Sequence, residues 1–125
     1  MTMNTTITND DHLLGGEKVG RVKRALVSEP LLYNMAEIFK VLSDPARLKI
    51  VLALRESELC VNDLADLTSL SQSSVSHHLK TLRQTRLVNF RRVGKSVHYA
   101  LADDHVTAML IVARDHAGEP EQTNT

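Results

Sequence analysis

Tryptophan is absent from this chain of 125 residues, and aromatic residues make up 3% of it. So few aromatic side chains disfavour a large β-sandwich and are typical of a helical protein. The one cysteine, Cys60, excludes a disulfide within the chain and suits a reducing cytoplasm. The longest apolar run has six residues, 108–113, which is far short of a membrane span.

The chain length fits one folded domain, framed by polar ends. Residues 1–16 are rich in Thr, Asn and Asp and end in two glycines, so they are predicted to form a disordered arm. They include no basic start and no long apolar segment, so no signal peptide is expected. Residues 17–118 are predicted to form the domain, and residues 119–125 a flexible tail.

The formal net charge is zero, but the charges are unevenly distributed. Residues 71–100 contain six basic residues and no acidic one. Residues 101–125 contain five acidic residues and one basic residue. This asymmetry indicates a basic surface suited to an anionic partner, which the total charge alone would not suggest.

The first part of the domain is predicted to be helical. A first helix is expected over residues 17–27, and a second helix begins with Pro30 in its first turn, where its missing N–H costs nothing. A third helix is predicted to begin with Ser43 or Asp44 as N-cap and Pro45 in the first turn.

The stretch CVNDLADLTSLSQSSVSHHLKTLRQTRLV predicts two short helices joined by a tight turn. Asn62 is expected to cap the first helix, with Leu64 and Leu67 facing inward. Ser71 is expected to cap the second, whose buried stripe is Val75, Leu79 and Leu82. The opposite face of that second helix carries short polar side chains, as a recognition helix does in the major groove.

The next segment, residues 87–101, alternates as a β-hairpin with Gly94 and Lys95 at its tip. A basic hairpin directly after a helix-turn-helix favours contact with the DNA minor groove or phosphates. The predicted DNA-contacting residues are Ser71, Gln72, Ser73, Ser74, Ser76, His77 and Lys80 on the helix, and Arg91, Arg92 and Lys95 on the hairpin.

The stretch DDHVTAMLIVARDHAGE predicts a last helix with possible metal ligands at both ends: Asp103 and His105, then His116 and Glu119. The two histidines are eleven residues apart, which places them on one face but about 16 Å from each other. No single ion can join them. A second copy packed antiparallel would complete two equivalent four-ligand sites and use the apolar stretch between them as an interface.

These motifs together resemble the ArsR/SmtB family of bacterial metal-sensing winged-helix repressors over residues 30–119. The resemblance implies a mainly α fold with a small β-hairpin, and a homodimer that binds double-stranded operator DNA and releases it when metal binds. The first and last helices of the domain are predicted to form the dimer contact. Zinc-sensing members are similar in carrying Asp-x-His and His-x-x-Glu or His-x-x-His on the last helix. The resemblance therefore implies zinc at the four residues above, with cobalt, cadmium and nickel as alternatives.

The chain departs from part of the family pattern around Cys60, because arsenic sensors carry Cys-x-Cys in this segment and the second thiolate is missing here. Cys60 and Asp63 match another family metal site, which His12 of the arm would have to complete in place of a cysteine. Alternatives are a thiol- or redox-responsive repressor that uses Cys60, and a DNA-binding dimer with structural zinc. No acid, base or nucleophile pattern indicates an enzyme.

Overall fold

The computed structural model describes the backbone of residues 9–121 and the side chains of residues 15–121. The chain divides into two compact units, one up to Asn34 and one from Met35 onward. The predicted arm and tail lie partly outside the described residues, which exclude 1–8 and 122–125. The division of the chain into arm, domain and tail therefore stays a prediction.

The first unit contains helix α1 (Asn9–Ala25) and the start of helix α2 (Glu29–Leu42). The predicted start of the first helix was wrong, because α1 begins at Asn9 rather than at residue 17. Its backbone stays helical through Gly15 and Gly16, since glycine weakens a helix without breaking it. Pro30 lies in the first turn of α2, as the sequence predicts.

Helix α3 (Pro45–Glu56) begins at the second of the two predicted caps, Asp44. The Asp44 carboxylate accepts hydrogen bonds from the backbone N–H groups of Ala46 at 2.8 Å and Arg47 at 3.1 Å. The bond from Arg47 is the largest cause of a lowered pKa at Asp44, because it stabilises the charged carboxylate. The start of α3 is thus fixed locally.

Helices α4 (Val61–Thr68) and α5 (Gln72–Gln84) form the predicted helix-turn-helix. Cys60, not Asn62, is the N-cap of α4, because the carboxylate of Asp63 accepts the Cys60 N–H at 3.3 Å. Leu64 is buried, but Leu67 is exposed, contrary to the prediction. The side of α4 that packs against the core carries Val61, Leu64 and Ala65 instead.

The chain then forms an antiparallel hairpin of β1 (Val88–Val93) and β2 (Ser96–Leu101), with Gly94 at φ +61° in the turn. Leu59 extends this small sheet, because its backbone exchanges two hydrogen bonds with Tyr99. Helix α6 (Asp104–Ala117) follows. The architecture is mainly α with a small β-hairpin, as predicted.

The core of the second unit joins the end of α2 with α3, α4, α5, β1 and α6. Its buried apolar residues are Val41, Ile50, Val51, Leu54, Leu64, Val75, Leu79, Leu82, Leu87, Val88, Val106 and Leu110. All three predicted residues of the α5 stripe are among them. Within residues 9–121, no helix combines the length and apolar character that crossing a membrane requires.

Candidate nucleic-acid interface and metal centre

Helix α5 presents a polar face that begins at its cap. The Ser71 hydroxyl accepts the backbone N–H of Ser74 at 3.0 Å and donates to the Ser74 hydroxyl at 3.1 Å. Ser74 is half-buried and belongs to this cap, whereas the other predicted contacts on the helix are exposed. The exposed set is Ser71, Gln72, Ser73, Ser76, His77 and Lys80.

The other end of α5 is closed by a Schellman motif. The N–H of Leu87 donates to the carbonyl of Leu82, and the N–H of Arg86 to that of Arg83, both at 2.9 Å. Arg86 takes the left-handed conformation with φ +59°. Glycine is usual at this position, so an arginine here carries a conformational cost.

Two arginines flank one aromatic ring between α5 and the hairpin. The guanidinium carbon of Arg83 lies 4.2 Å from the centroid of the Phe90 ring, and that of Arg92 lies 5.9 Å from it. Both distances are within the range of cation–π attraction. The ring therefore attaches the end of the recognition helix to β1 and holds two positive charges nearby.

The three predicted basic contacts of the hairpin differ in their surroundings. Lys95 is exposed at the tip, and Arg92 lies near Phe90. Arg91 donates to the carboxylate of Glu58 at 2.6 Å. Glu58 could not be recognised from the sequence, because its partner lies 33 positions away and the strand beside it consists of one paired residue, Leu59.

The start of α6 brings two predicted metal ligands together. Asp103 is the N-cap, and its Oδ1 accepts the backbone N–H of Val106 at 3.1 Å. The Nδ1 of His105 lies 3.6 Å from the same oxygen, and the His105 side chain is 98% exposed. The cap thus fixes the carboxylate, while the imidazole is open to a further partner.

At the end of α6, the other two predicted metal ligands, His116 and Glu119, lie close together. The Nδ1 of His116 lies 3.9 Å from a carboxylate oxygen of Glu119, and the His116 side chain is 85% exposed. Glu119 lies two residues beyond the last residue of α6, but its N–H donates to the His116 carbonyl at 3.3 Å. The chain therefore keeps both side chains on one side.

Each end of α6 thus supplies one imidazole and one carboxylate, a donor set that suits zinc. A four-coordinate site needs two more ligands. In the part of the chain that the structure describes, no three His, Cys, Asp or Glu side chains gather in a geometry fit for a metal ion. The side chains at each end of α6 are of the type that zinc prefers, but each end supplies two of the four ligands that a zinc site requires.

The start of α6 also adjoins the end of α5. Asp103 and His105 line a groove of about 350 Å³ whose other walls include Arg86 and Met109. The N–H of Ala102, next to Asp103, donates to the carbonyl of Leu87 at 3.0 Å. A backbone hydrogen bond therefore connects the chain beside one predicted ligand pair to the closing motif of the recognition helix.

The predicted second metal site is described in part. The thiol of Cys60 donates to the carboxylate of Asp63 at 3.2 Å, so these two residues are brought together. The side chain of His12 lies outside the described residues. Cys60 is half-buried at the helix start, which fits a structural role in the α4 cap equally well.

A recognition helix, a basic hairpin and a shared core define a winged helix-turn-helix DNA-binding protein. A sequence model of the family described as "Bacterial regulatory protein, arsR family" matches residues 44–89. A transcriptional repressor SmtB homolog from Synechocystis sp. is 44% identical over 90% of this chain and 85% of its own. The chain belongs to the ArsR/SmtB family of transcriptional regulators, which are not enzymes.

Two further proteins are similar to it. A cadmium resistance transcriptional regulatory protein CadC homolog from Staphylococcus aureus is 38% identical over 82% of this chain and 85% of its own. The homodimeric winged helix-turn-helix DNA-binding domain of Mb0332 from Mycobacterium bovis is 25% identical, with a TM-score of 0.70 over 80% of this chain and 98% of that domain. The predicted family and fold are confirmed.

Proposed function

We propose that this chain is a metal-responsive repressor that binds operator DNA as a metal-free homodimer and leaves it when zinc binds. The observation that carries the proposal is the pair of exposed half-sites at the two ends of α6. The repressor and the cadmium resistance regulator among its relatives support a metal-responsive role.

The proposed metal sites lie between subunits. An antiparallel pairing of two α6 helices about a two-fold axis brings Asp103 and His105 of one chain to the partner's His116 and Glu119. Symmetry then gives two equivalent sites, each with two imidazoles and two carboxylates. Such a donor set favours zinc, and it also accepts cobalt, nickel or cadmium.

The apolar surface of α6 supports this pairing. Val106 and Leu110 are buried in the core of their own chain, whereas Val112 on the same helix is 67% exposed. A second copy would cover that exposed side and bring the two helix ends into register. The homodimeric state of the Mb0332 domain supports a dimer for this chain as well.

The DNA-binding surface would act twice in such a dimer. Each α5 would enter a major groove through its exposed polar face, and the two grooves would lie about 34 Å apart on one side of the duplex. The hairpins would contact the flanking phosphates through Arg92 and Lys95, which are exposed. The distance between the two recognition helices then decides whether the operator is bound.

The backbone offers a direct route from the metal site to that distance. Zinc, when bound, would tie the start of one α6 to the end of the partner's. The residue before Asp103 is Ala102, whose N–H donates to the carbonyl of Leu87. The N–H of Leu87 in turn donates to the carbonyl of Leu82 in α5. A shift at the start of α6 is therefore passed to the recognition helix. A coupling of about 1–3 kcal/mol would produce the response.

The first test is zinc stoichiometry by chelator competition on the reduced protein. We expect one tight zinc per chain in the wild type and none in His116→Ala. Asp115→Asn is the matched control, because it removes a charged ligand type next to His116 without belonging to the site. Tight zinc that survives in His116→Ala would contradict the proposed ligands and direct attention to Cys60 and Asp63.

The second test establishes that the sites lie between subunits. One chain carries Asp103→Ala with His105→Ala, and the other carries His116→Ala with Glu119→Ala. Neither homodimer retains a complete site, but a heterodimer of the two retains one. We expect mixing to restore one zinc per heterodimer. If mixing restores none although heterodimers form, the ligands do not combine across the interface.

The third test measures release from DNA, using a duplex selected by the metal-free protein. We expect zinc to lower the affinity of the wild type by 5- to 150-fold, which is about 1–3 kcal/mol of coupling. His116→Ala should bind the duplex equally well and ignore zinc. Equal DNA affinity of the wild type with and without bound zinc would make the metal structural.

A further inference from the structure

The outer face of the hairpin carries an ion pair that the DNA-binding role does not require. The Nε of Arg91 donates to Oε1 of Glu58 at 2.6 Å. Glu58 precedes Leu59, whose backbone is paired with Tyr99 of β2. Because Arg91 pairs with His98 across the hairpin, the bridge to Glu58 spans the full width of β2.

The bridge neutralises a cation without hiding it. The side chain of Arg91 remains 66% exposed, and that of Glu58 is 34% exposed. The pairing of Leu59 with Tyr99 fixes the backbone beside Glu58, so the carboxylate is held near the hairpin at low entropic cost. The guanidinium is therefore accessible to a phosphate, but it already has an anionic partner.

The ion pair of Glu58 and Arg91 joins an acidic residue to a segment of the chain that is otherwise only basic. Residues 71–100 contain six basic residues and no acidic one, so the DNA-facing segment has no carboxylate of its own. Among the residues that the structure describes, the pair of Glu58 and Arg91 is the one ion pair that reaches this segment. Glu58 brings a negative charge to the hairpin from outside the basic region.

We propose that Glu58 sets the strength of operator binding by competing with DNA phosphate for Arg91. While the pair is intact, the hairpin presents two unpaired cations to DNA, Arg92 and Lys95, and Arg91 is withheld. A phosphate can engage Arg91 when the guanidinium leaves Glu58, and that exchange reduces the gain from the contact. The inference rests on the DNA-binding part of the proposed function and is independent of metal.

The experiment compares Glu58→Gln with Glu56→Gln in the metal-free dimer. Both changes remove one negative charge, and the two positions are two residues apart. Glu56 is paired with Arg55 at 3.2 Å, which does not belong to the hairpin, so it is a matched control for long-range charge. Affinity for the selected duplex is measured by fluorescence anisotropy over a range of salt concentrations.

We expect Glu58→Gln to bind about three- to tenfold more tightly than Glu56→Gln, since one exposed ion pair per hairpin no longer opposes binding. The slope of log K against log salt should steepen by up to about two per dimer, because Arg91 then neutralises a phosphate at each hairpin that Glu58 withholds from it in the wild type. Arg91→Gln in both backgrounds should abolish the difference between them.

Two results would overturn the inference. The first is equal affinity and equal salt slope in Glu58→Gln and Glu56→Gln, which would show that Arg91 is not withheld from DNA. The second is a difference that persists without Arg91. Both results leave the proposed function intact, because that function is tested by the binding of the wild-type dimer to DNA and by its response to zinc, neither of which depends on Glu58. Thermal melting of each variant checks that the fold is retained.

Discussion

The helix-turn-helix and the ends of α6 differ in how completely one chain builds them. The recognition helix has its cap, its closing motif and its buried stripe within a single chain. Each end of α6 has one imidazole beside one carboxylate, and both histidines face solvent. A surface that contacts DNA can be finished by one subunit, whereas the proposed sensor site is finished only by assembly.

The largest loss of stability is expected when a buried side chain of the helix-turn-helix is removed. Leu79 of α5 is buried in the core, so Leu79→Ala should cost about 3 kcal/mol of unfolding free energy. His116→Ala should change the stability of the metal-free protein by less than about 0.5 kcal/mol, because its side chain is exposed. Urea denaturation without metal measures both. A comparable loss in His116→Ala would show that the end of α6 is already packed in the absence of metal.

The sequence predicted the helix-turn-helix and the hairpin well because the signals for them are local. Ser71 is a cap that lies three residues from the N–H group it accepts, and in the adjoining hairpin Gly94 has the positive φ that its turn requires. The cap of α4 was mistaken because Asn62 is the better capping residue by type. The pairing of Asp63 with the backbone of Cys60 decided the helix start instead.

The features that could not be predicted depend on distant partners. Glu58 meets Arg91 across 33 positions, and Arg83 meets Phe90 only because α5 and β1 pack together. The face that Leu67 turns outward follows from how α4 sits on its neighbours. The spacing of the proposed metal ligands could be read from the sequence, but their assembly would need a second chain, so it stays a prediction.

A charge on the surface that would join two copies should weaken the dimer. Val112→Asp would place a charge in the proposed α6 interface, which should weaken the dimer by about 30-fold, or about 2 kcal/mol. Leu67→Asp is the matched control, because Leu67 is an exposed leucine on α4. Sedimentation equilibrium measures the dissociation constants. An unchanged constant for Val112→Asp would place the interface elsewhere.

A third, smaller effect concerns the ring that joins helix and hairpin. Phe90→Leu keeps an apolar side chain but removes the cation–π contacts of Arg83 and Arg92, each worth about 0.5–1 kcal/mol at an exposed site. DNA affinity should fall a few-fold, while the salt slope stays the same because both charges remain. Anisotropy titrations over a range of salt measure both quantities. A shallower slope would mean that the arginines no longer reach the phosphates.

The smallest effect is expected where the two regions meet. Arg86 has φ +59° at a position that favours glycine, so Arg86→Gly should stabilise the metal-free protein by about 0.5–1 kcal/mol. Arg86→Ala is the matched control, because alanine removes the charge and keeps the backbone strain. Lys80→Gly would not serve, because Lys80 lies inside α5. Thermal and urea unfolding measure the difference between the two variants.

The same pair of variants tests how the end of α5 senses α6. Arg86 lines the groove beside Asp103 and His105, and the hydrogen bond between its N–H and Arg83 closes the recognition helix. If the strained conformation makes this junction responsive, Arg86→Gly will be more stable and release DNA less fully with zinc, whereas Arg86→Ala will release it as the wild type does. Equal release by both variants would show that the strained backbone of Arg86 affects the stability of the protein but not DNA release. The hydrogen bond from Ala102 to Leu87 would then be the connection between the two regions.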